Sequence, residues 1–561
     1  MIEKIKLKSG SSQGQPNLGF DLTPITIFVG PNNSGKSRVL IEIENFCRRT
    51  HGQANDLVLD NLTFESFTQE EIEDEITRIE TVPNIGEDVS PGNVILSKIN
   101  PQNNRALRRQ VNREGLINEA QNPNTRQGFY QPFIDMYTMR LDGTNRLNLL
   151  TEQNAGDLQK TPNNHLSHLF TNNELREEVR RIVHEAFGKY YVVDPTNIGK
   201  LRVRLSDRAP VSEREEKGWE SESINFHKNA IEIIHASDGV KAFSGIITTI
   251  LAGDPKITLI DEPEAFLHPS LSNKLGSEIG KSLRATKKRL FVSTHSSHFL
   301  MGCIQSGSPL NIVRLTYKDN LATARILPKN KILDLMRNPL LRSTGVLNGL
   351  FYECVIVTEA DSDRAFYNEI NERLLAESDE RGIVNCLFIN AQNKQTVWDI
   401  VHPLRELGIP AVGIVDIDVL KEGGQVFSKP LNGAFIPEPS HEAFHNQRQT
   451  LKTAFDTSGQ NMKRDGGVEI LDDPNKEACN NFFNQLEEYG VFIVRNGELE
   501  SWLTELEATG HGSKWLIDIF EKMGDNPQDS NYLKPTDNDV WNFIGKVKSW
   551  IDNPNKKGIP K

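Results

Sequence analysis

The stretch Gly30-Pro31-Asn32-Asn33-Ser34-Gly35-Lys36-Ser37 limits what this chain can fold into more than any other. It fits the pattern G-x-x-x-x-G-K-[ST] at every position. The β-branched run Ile25–Val29 before it reads as a strand, and Arg38–Ile43 after it reads as the start of a helix. A strand–loop–helix setting is the one in which this pattern cradles phosphate. Gly30 and Gly35, with Asn32, Asn33 and Ser34 between them, let successive backbone N–H groups curl around an anion. The helix N-terminus adds partial positive charge beneath it. Lys36 is placed to reach the β- and γ-phosphates, and the Ser37 hydroxyl to sit on Mg²⁺. A nucleoside triphosphate site is the first expectation.

A chain of 561 residues has room for roughly three or four domains. With 37% hydrophobic and 25% charged residues it reads as globular and soluble, with more than one core. No apolar run approaches the roughly 20 residues of a membrane span, and no membrane partner is expected. The opening Met1–Lys8 alternates like a strand and lacks the apolar core of a signal peptide. The five cysteines include no CxxC pair, which excludes a zinc ribbon and argues for a reducing, cytoplasmic setting. The net charge of −12 does not invite nucleic acid by itself, but the charge is segregated. An acidic run from Glu70 to Asp88 precedes Arg105, Arg108, Arg109 and Arg113, whose spacing places them on one helix face. That face is either solvated or turned to DNA.

Residues 50–165 are rich in Asn, Gln, Thr and Gly, with weak periodicity, and read as an insertion of loops and short helices. Asn173–Gly188 carries a helical apolar stripe, and Leu201–Leu205 alternates like a half-buried strand. A second nucleotide motif follows. Ile257–Ile260 is a short buried strand ending in Asp261-Glu262, where Asp261 can reach the Mg²⁺ and Glu262 can activate the attacking water. Glu264 and His268 read as a structural turn. The strand Arg289–Ser293 leads to Thr294-His295, placing His295 beside the γ-phosphate.

The phosphate loop, the DEPE acid pair, the LHP turn and the TH dipeptide resemble, in order and context, the ABC ATPase class of the structural-maintenance and Rad50-like proteins. The turn Ala236–Lys241 before the helix Phe243–Leu251 stands where that class has its signature, which Ser237 and Gly239 match in part. The resemblance covers residues 1 to about 345. It implies ATP as the ligand and at least a homodimer, because the nucleotide in this class is sandwiched between two subunits. Residues from about 50 to 235 then form an inserted, dimerising or arm region, expected to be helical.

After Leu347 the pattern changes. Cys354–Thr358 is a buried strand ending in Glu359, with Asp361 and Asp363 after it and a helix through Phe366, Ile370 and Leu374. Cys386–Ile389 is a second strand, and Ala411–Val415 a third, ending in Asp416-Ile417-Asp418. This βαβαβ order predicts a small parallel sheet with Glu359, Asp363, Asp416 and Asp418 at its carboxyl edge. Such acids repel one another unless cations bind, and oxygen-only ligands favour Mg²⁺ or Mn²⁺.

Glu359 with Asp363, and Asp416 with Asp418, resemble the E-x-x-x-D and D-x-D signatures of the Toprim domain. An ABC-type ATPase followed by Toprim resembles the OLD (overcoming lysogenisation defect) nuclease family, which includes the Gabija nuclease subunit and retron-associated effectors. The resemblance implies an α/β chain with an ATPase domain at 1–345, a Toprim nuclease domain at 346–510 and a helical segment at 511–561 completing the nuclease site. Gly497–Glu500 resembles the family's G-x-L-E segment, which makes Glu500 a further metal ligand. Lys546, or Lys548, is the implied lysine against the scissile phosphate. The implied function is an ATP-binding, metal-dependent DNA endonuclease or nickase in prokaryotic anti-phage defence. A helicase, or a reverse transcriptase with its noncoding RNA, is the implied partner. Two rivals stand beside it. One is a DNA-repair or chromosome-maintenance ATPase whose Toprim fold only binds nucleic acid. The other is an assembly protein in which ATP only locks oligomers.

Overall fold

The computed structural model describes residues 1–49, 52–100, 105–124, 130–159, 162–284 and 286–560. It divides into two compact units, Met1–Ile326 and Leu327–Lys561, so the boundary falls before the expected break near residue 345.

The first unit is built on a six-stranded sheet. Its strand order is Leu321–Leu327, Leu310–Lys318, Ile25–Val29, Arg289–Ser293, Ile257–Asp261, Thr138–Leu141. Ile25–Val29 runs parallel to both of its neighbours, and Ile257–Asp261 to both of its own. A parallel strand is covered on both faces, which is why Ile25–Val29 is apolar throughout and buried at every residue. The helix Lys36–Arg49 leaves the phosphate loop and buries Val39, Leu40, Ile43, Phe46 and Cys47, an i, i+3/i+4 stripe. That stripe shares a core with Phe28, Leu259 and Phe291 of the sheet and with Ile2, Ile5, Leu59 and Leu62.

The region between the two nucleotide motifs corrects the expectation of a helical insertion. It is mixed, and part of it is woven into the main sheet. Thr138–Leu141 pairs in parallel with Ile257–Asp261. Tyr190–Asp194, Lys200–Ser206 and Ile231–Glu232 form an antiparallel sheet, with Gln153–Asn154 beside Lys200–Ser206. The arginines also differ from the expectation. Arg105–Asn112 is a strand, paired antiparallel with Asn93–Asn100, so Arg108 and Arg109 face opposite sides. Arg108 lies 2.8 Å from Glu87, Arg113 lies 2.9 Å from Glu80, and Arg109 pairs with Asp135. These three spend their charge on local acids, two of them from the preceding acidic run. The expected helix at 173–188 is present as Asn173–Phe187, closed by Gly188 at φ +67°.

The second unit holds a four-stranded sheet in the order Cys386–Asn390, Cys354–Thr358, Ala411–Asp416, Val491–Val494. All three pairings are parallel, as the βαβαβ pattern predicts. A Cβ at Gly413 would lie 2.6 Å from the Trp398 ring, so the glycine lets the helix Val397–Glu406 pack flat on the sheet. The core joins Ile356, Val412 and Phe492 to Phe366 and Ile370, and further to Trp515, Ile519, Trp541 and Ile544. The C-terminal helices Ser513–Met523 and Asp539–Asp552 therefore belong to this unit's own core. Buried Arg373 ties them in, donating to Met523 O and Leu533 O at 3.0 Å each and to Gly524 O at 2.6 Å. Among the described residues no helix is long and apolar enough to cross a membrane.

Candidate functional site

The phosphate loop closes with backbone geometry that only its glycines allow. Gly30 has φ +143°, and a Cβ there would lie 2.0 Å from Leu315 O; Gly35 has φ +93°. Asn33 also sits in the left-handed region, at φ +59°, where asparagine is among the better tolerated residues. Lys36 is buried, and its ammonium donates to Gly30 O at 2.9 Å, Pro31 O at 2.6 Å and Ser34 Oγ at 3.4 Å. Burial lowers its pKa to about 8, against the pull of Glu262, Asp261 and Glu264. A buried ammonium held by neutral oxygens fits an anion, and a triphosphate would supply it.

The acid pair lies beside the phosphate loop. Ser37 Oγ donates to Asp261 Oδ1 at 2.8 Å, and the Ser293 hydroxyl donates to the same oxygen. A hydroxyl and a carboxylate so close fit one hard, oxygen-preferring cation. Glu262 has φ +49° and donates its N–H to Ser293 O at 2.9 Å. Its Oε1 lies 3.7 Å from His295 Nε2. Burial, then the charge of Lys36, lowers the His295 pKa. Glu264 does more than shape a turn: its Oε1 accepts the His295 N–H at 2.8 Å, while its Oε2 is buried without a partner. His268 caps the helix Pro269–Ser282, as a structural residue would. Ser237 stands at the N-cap of Asp238–Ala252, so the expected signature turn is the first turn of that helix.

Arg146, unremarked in the sequence, braces this site. It is 2% exposed. It donates to Asp261 O at 2.8 Å, to Glu262 O, and through Nε to Asp142 O at 3.0 Å. Its acceptors at Asp261 and Glu262 are more than a hundred residues away in sequence, and nothing local signals them.

The second unit brings its acids to one sheet edge. Glu359 follows the strand Cys354–Thr358, and its Oε1 accepts the Asp416 N–H at 3.0 Å. Asp363 caps the helix Asp361–Ala376 by accepting the Ala360 N–H at 2.9 Å. Burial raises the pKa of Glu359 to about 8, with Asp416, Asp418 and Asp363 adding to the rise. Burial and then Asp416 raise Asp363 to about 7, with Glu500 contributing. Asp416 is raised to about 6, chiefly by burial, against the pull of Lys463. Asp361 stands apart, paired with Arg364 at 2.7 Å. Raised carboxyls sharing one edge, together with the buried, unpartnered Asp418 Oδ1, fit divalent cations held by oxygen.

Sequence reasoning missed four groups here. Glu498 is 7% exposed and adds its charge to Asp416. Glu498, Glu500 and His511 offer ligand atoms within 4.8 Å of one another, with His511 Nδ1 2.6 Å from Glu500 Oε1. Lys463 Nζ lies 2.8 Å from Asp416 Oδ2, and Lys394 Nζ lies 3.4 Å from Asp418 Oδ2. Lys546 instead faces Glu487 at 3.9 Å, and Lys548 pairs with Asp552. Lys463 and Lys394 thus touch the acid edge, Lys463 the more closely. Lys463 precedes the G-x-L-E segment, where no motif marks it.

Residues 144–301 match the family model described as AAA domain, putative AbiEii toxin, Type IV TA system. The match takes in Arg146, Asp261, Glu262 and His295 and begins after the phosphate loop. Together with the loop and its parallel sheet it gives the first unit an ABC-type P-loop ATPase fold. The chain is similar to the SMC head domain from Thermotoga maritima at 14% identity, covering 58% of this chain and 99% of that one, with a TM-score of 0.29. It is similar to the Pyrococcus furiosus Smc head domain with an extended coiled coil at 12% identity, covering 60% and 98%, with a TM-score of 0.32. An SmcHead bound to the C-winged helix domain of ScpA gives 14% identity, 59% and 99% coverage, and a TM-score of 0.33. Likeness at this level assigns no residue a role. A comparison with curated proteins returned no match.

Proposed function

We propose that the chain is an ATP-binding, metal-dependent DNA endonuclease or nickase of OLD type, acting in the cytoplasm as an effector of anti-phage defence. The observation that carries this reading is the convergence of raised carboxyls at the carboxyl edge of the second unit's parallel sheet. A site that only docks DNA has no use for acids, which repel phosphates; a site that holds cations needs them.

In this reading Glu359, Asp363, Asp416, Asp418 and Glu500 hold Mg²⁺ or Mn²⁺, with Glu498 as a further ligand. The ions supply an activated water and stabilise the leaving oxygen of a phosphodiester. The protein orients these ligands, and Lys546 or Lys463 faces the scissile phosphate. In the first unit, Gly30–Ser37 and Asp261 bind ATP with Mg²⁺, Glu262 is the general base and His295 faces the γ-phosphate. ATP sandwiched in a homodimer, or a larger assembly, gates the nuclease. A helicase, or a reverse transcriptase with noncoding RNA, completes the system.

The alternative is a chromosome-maintenance ATPase whose acid edge binds nucleic acid without cutting. Lys463 and Lys394, each on one aspartate of the D-x-D pair, give it support, since they neutralise that edge without metal. Supercoiled plasmid incubated with the full chain and Mg²⁺ or Mn²⁺ separates the two. Conversion to nicked or linear DNA, lost with EDTA, is expected; intact plasmid under all conditions sinks the nuclease reading.

A further inference from the structure

Lys463 is delivered to the acid edge by close backbone packing. Its N–H donates to Asn461 Oδ1 at 3.0 Å, and the Asn461 N–H donates to Asp465 Oδ2 at 2.7 Å, which folds the loop on itself. Gly497, at φ +125°, lies so near that a Cβ there would be 2.2 Å from Lys463 O. A Cβ at Gly467 would be 1.9 Å from Arg495 O, which accepts the Val468 N–H at 2.9 Å. Backbone thus rests on backbone where the loop 463–467 meets the turn 495–497, and only the lysine's four-carbon stem spans the gap to the acids. The ammonium lies 2.8 Å from Asp416 Oδ2 and 3.4 Å from Glu498 Oε2. These acids come from two different places, the end of Ala411–Asp416 and the turn after Val491–Val494. Lys394 serves the other side, 3.4 Å from Asp418 and 3.7 Å from Glu422.

An ammonium in contact with a carboxylate oxygen and a divalent cation bound to it use the same lone pairs. The Lys463 side chain is 28% exposed, so its ammonium can leave for solvent without opening the core. We propose that Lys463 is a tethered counter-ion that competes with the divalent cation for Asp416 and Glu498, and so sets the cation concentration at which the acid edge fills. Without the cation it keeps the two carboxylates together. With the cation it is released beside the site, where an ammonium can meet a phosphate. This inference rests on the metal-site reading above.

The test is Mn²⁺ binding to the full chain at neutral pH, without nucleotide or DNA, read by the EPR signal of free Mn²⁺. Lys463→Met removes a unit charge in contact with two ligands, so Mn²⁺ affinity should rise by at least about tenfold, given the size of such short-range charge effects. Lys463→Gln should tighten it likewise, and Lys463→Arg, which keeps the charge, should stay within about threefold of the parent. Thermal melting confirms that each variant is folded. Neutral variants that bind Mn²⁺ no more tightly than the parent overturn the inference and make Lys463 a structural brace. An Asp416→Asn variant that binds Mn²⁺ as well as the parent overturns the metal site itself, and the inference with it.

Discussion

Lys36 and Arg146 are both buried cations, and their partners set them apart. Lys36 is held by loop oxygens and is lowered to about 8 by burial. ATP restores the charged form, so above about pH 8 binding must take up a proton. Affinity should therefore fall as pH rises from 8 to 9.5, with proton uptake seen by titration calorimetry in buffers of different ionisation enthalpy. Lys36→Ala should abolish ATP binding and this pH dependence together. Arg146 donates to the carbonyls of Asp261 and Glu262. Arg146→Met removes the donors to these part-buried carbonyls, at a cost of about 1 kcal/mol each. It should lower the melting temperature of the first unit and slow ATP hydrolysis more than it weakens ATP binding. Glu262→Gln should still bind ATP and hydrolyse it at least about a hundredfold more slowly, the usual scale of a general base. Parent-like turnover in Glu262→Gln would move that role to another residue.

At the scale of elements, the acid edge has a sign that can be measured. An acid whose folded pKa lies above its unfolded value binds more protons folded than unfolded. Stability then falls as pH rises between the two values. Glu359, Asp363 and Asp416 are raised to about 8, 7 and 6. With EDTA present, the melting temperature of the second unit should drop steadily from about pH 5 to 8.5, and saturating Mn²⁺ should flatten that slope. A flat profile in EDTA would mean that the acids are not crowded in solution. The strands behind this edge were legible because Cys354–Thr358 and Ala411–Val415 are unbroken apolar runs ending in acids, the pattern of a parallel strand. Thr138–Leu141 was not. It is four residues long, two of them polar or charged, and it joins the main sheet only because Ile257–Asp261 offers it an edge. The arginines at 105–109 misled for a related reason: their spacing suits a helix face, while pairing with Asn93–Asn100 decides for strand, and only Arg113 opens a helix. Arg146, Lys463 and Glu498 reach their sites through contacts between distant segments, which no local pattern records.

The whole molecule keeps its two candidate chemistries in different units, each with its own sheet and its own core. Asp261, Ser37 and Lys36 belong to the first; Glu359, Asp416 and Asp418 belong to the second. Residues in separate cores with no shared partners act almost additively. Asp416→Ala and Glu359→Ala should therefore abolish DNA cleavage and leave ATP hydrolysis within about twofold of the parent. Metal dependence should follow coordination chemistry. Mn²⁺ and Mg²⁺ should support cleavage, and Ca²⁺ should bind but support it poorly, because it is larger, less strict in geometry and less able to activate water. The Lys36→Ala variant provides the converse arm: it should lose ATP hydrolysis, and any change in its cleavage then reports how far nucleotide occupancy gates the nuclease. Parallel nicking and ATPase assays on the purified variants decide the matter. Cleavage that survives in both Asp416→Ala and Glu359→Ala removes the acid edge from the chemistry and leaves the DNA-binding ATPase as the better account of the chain.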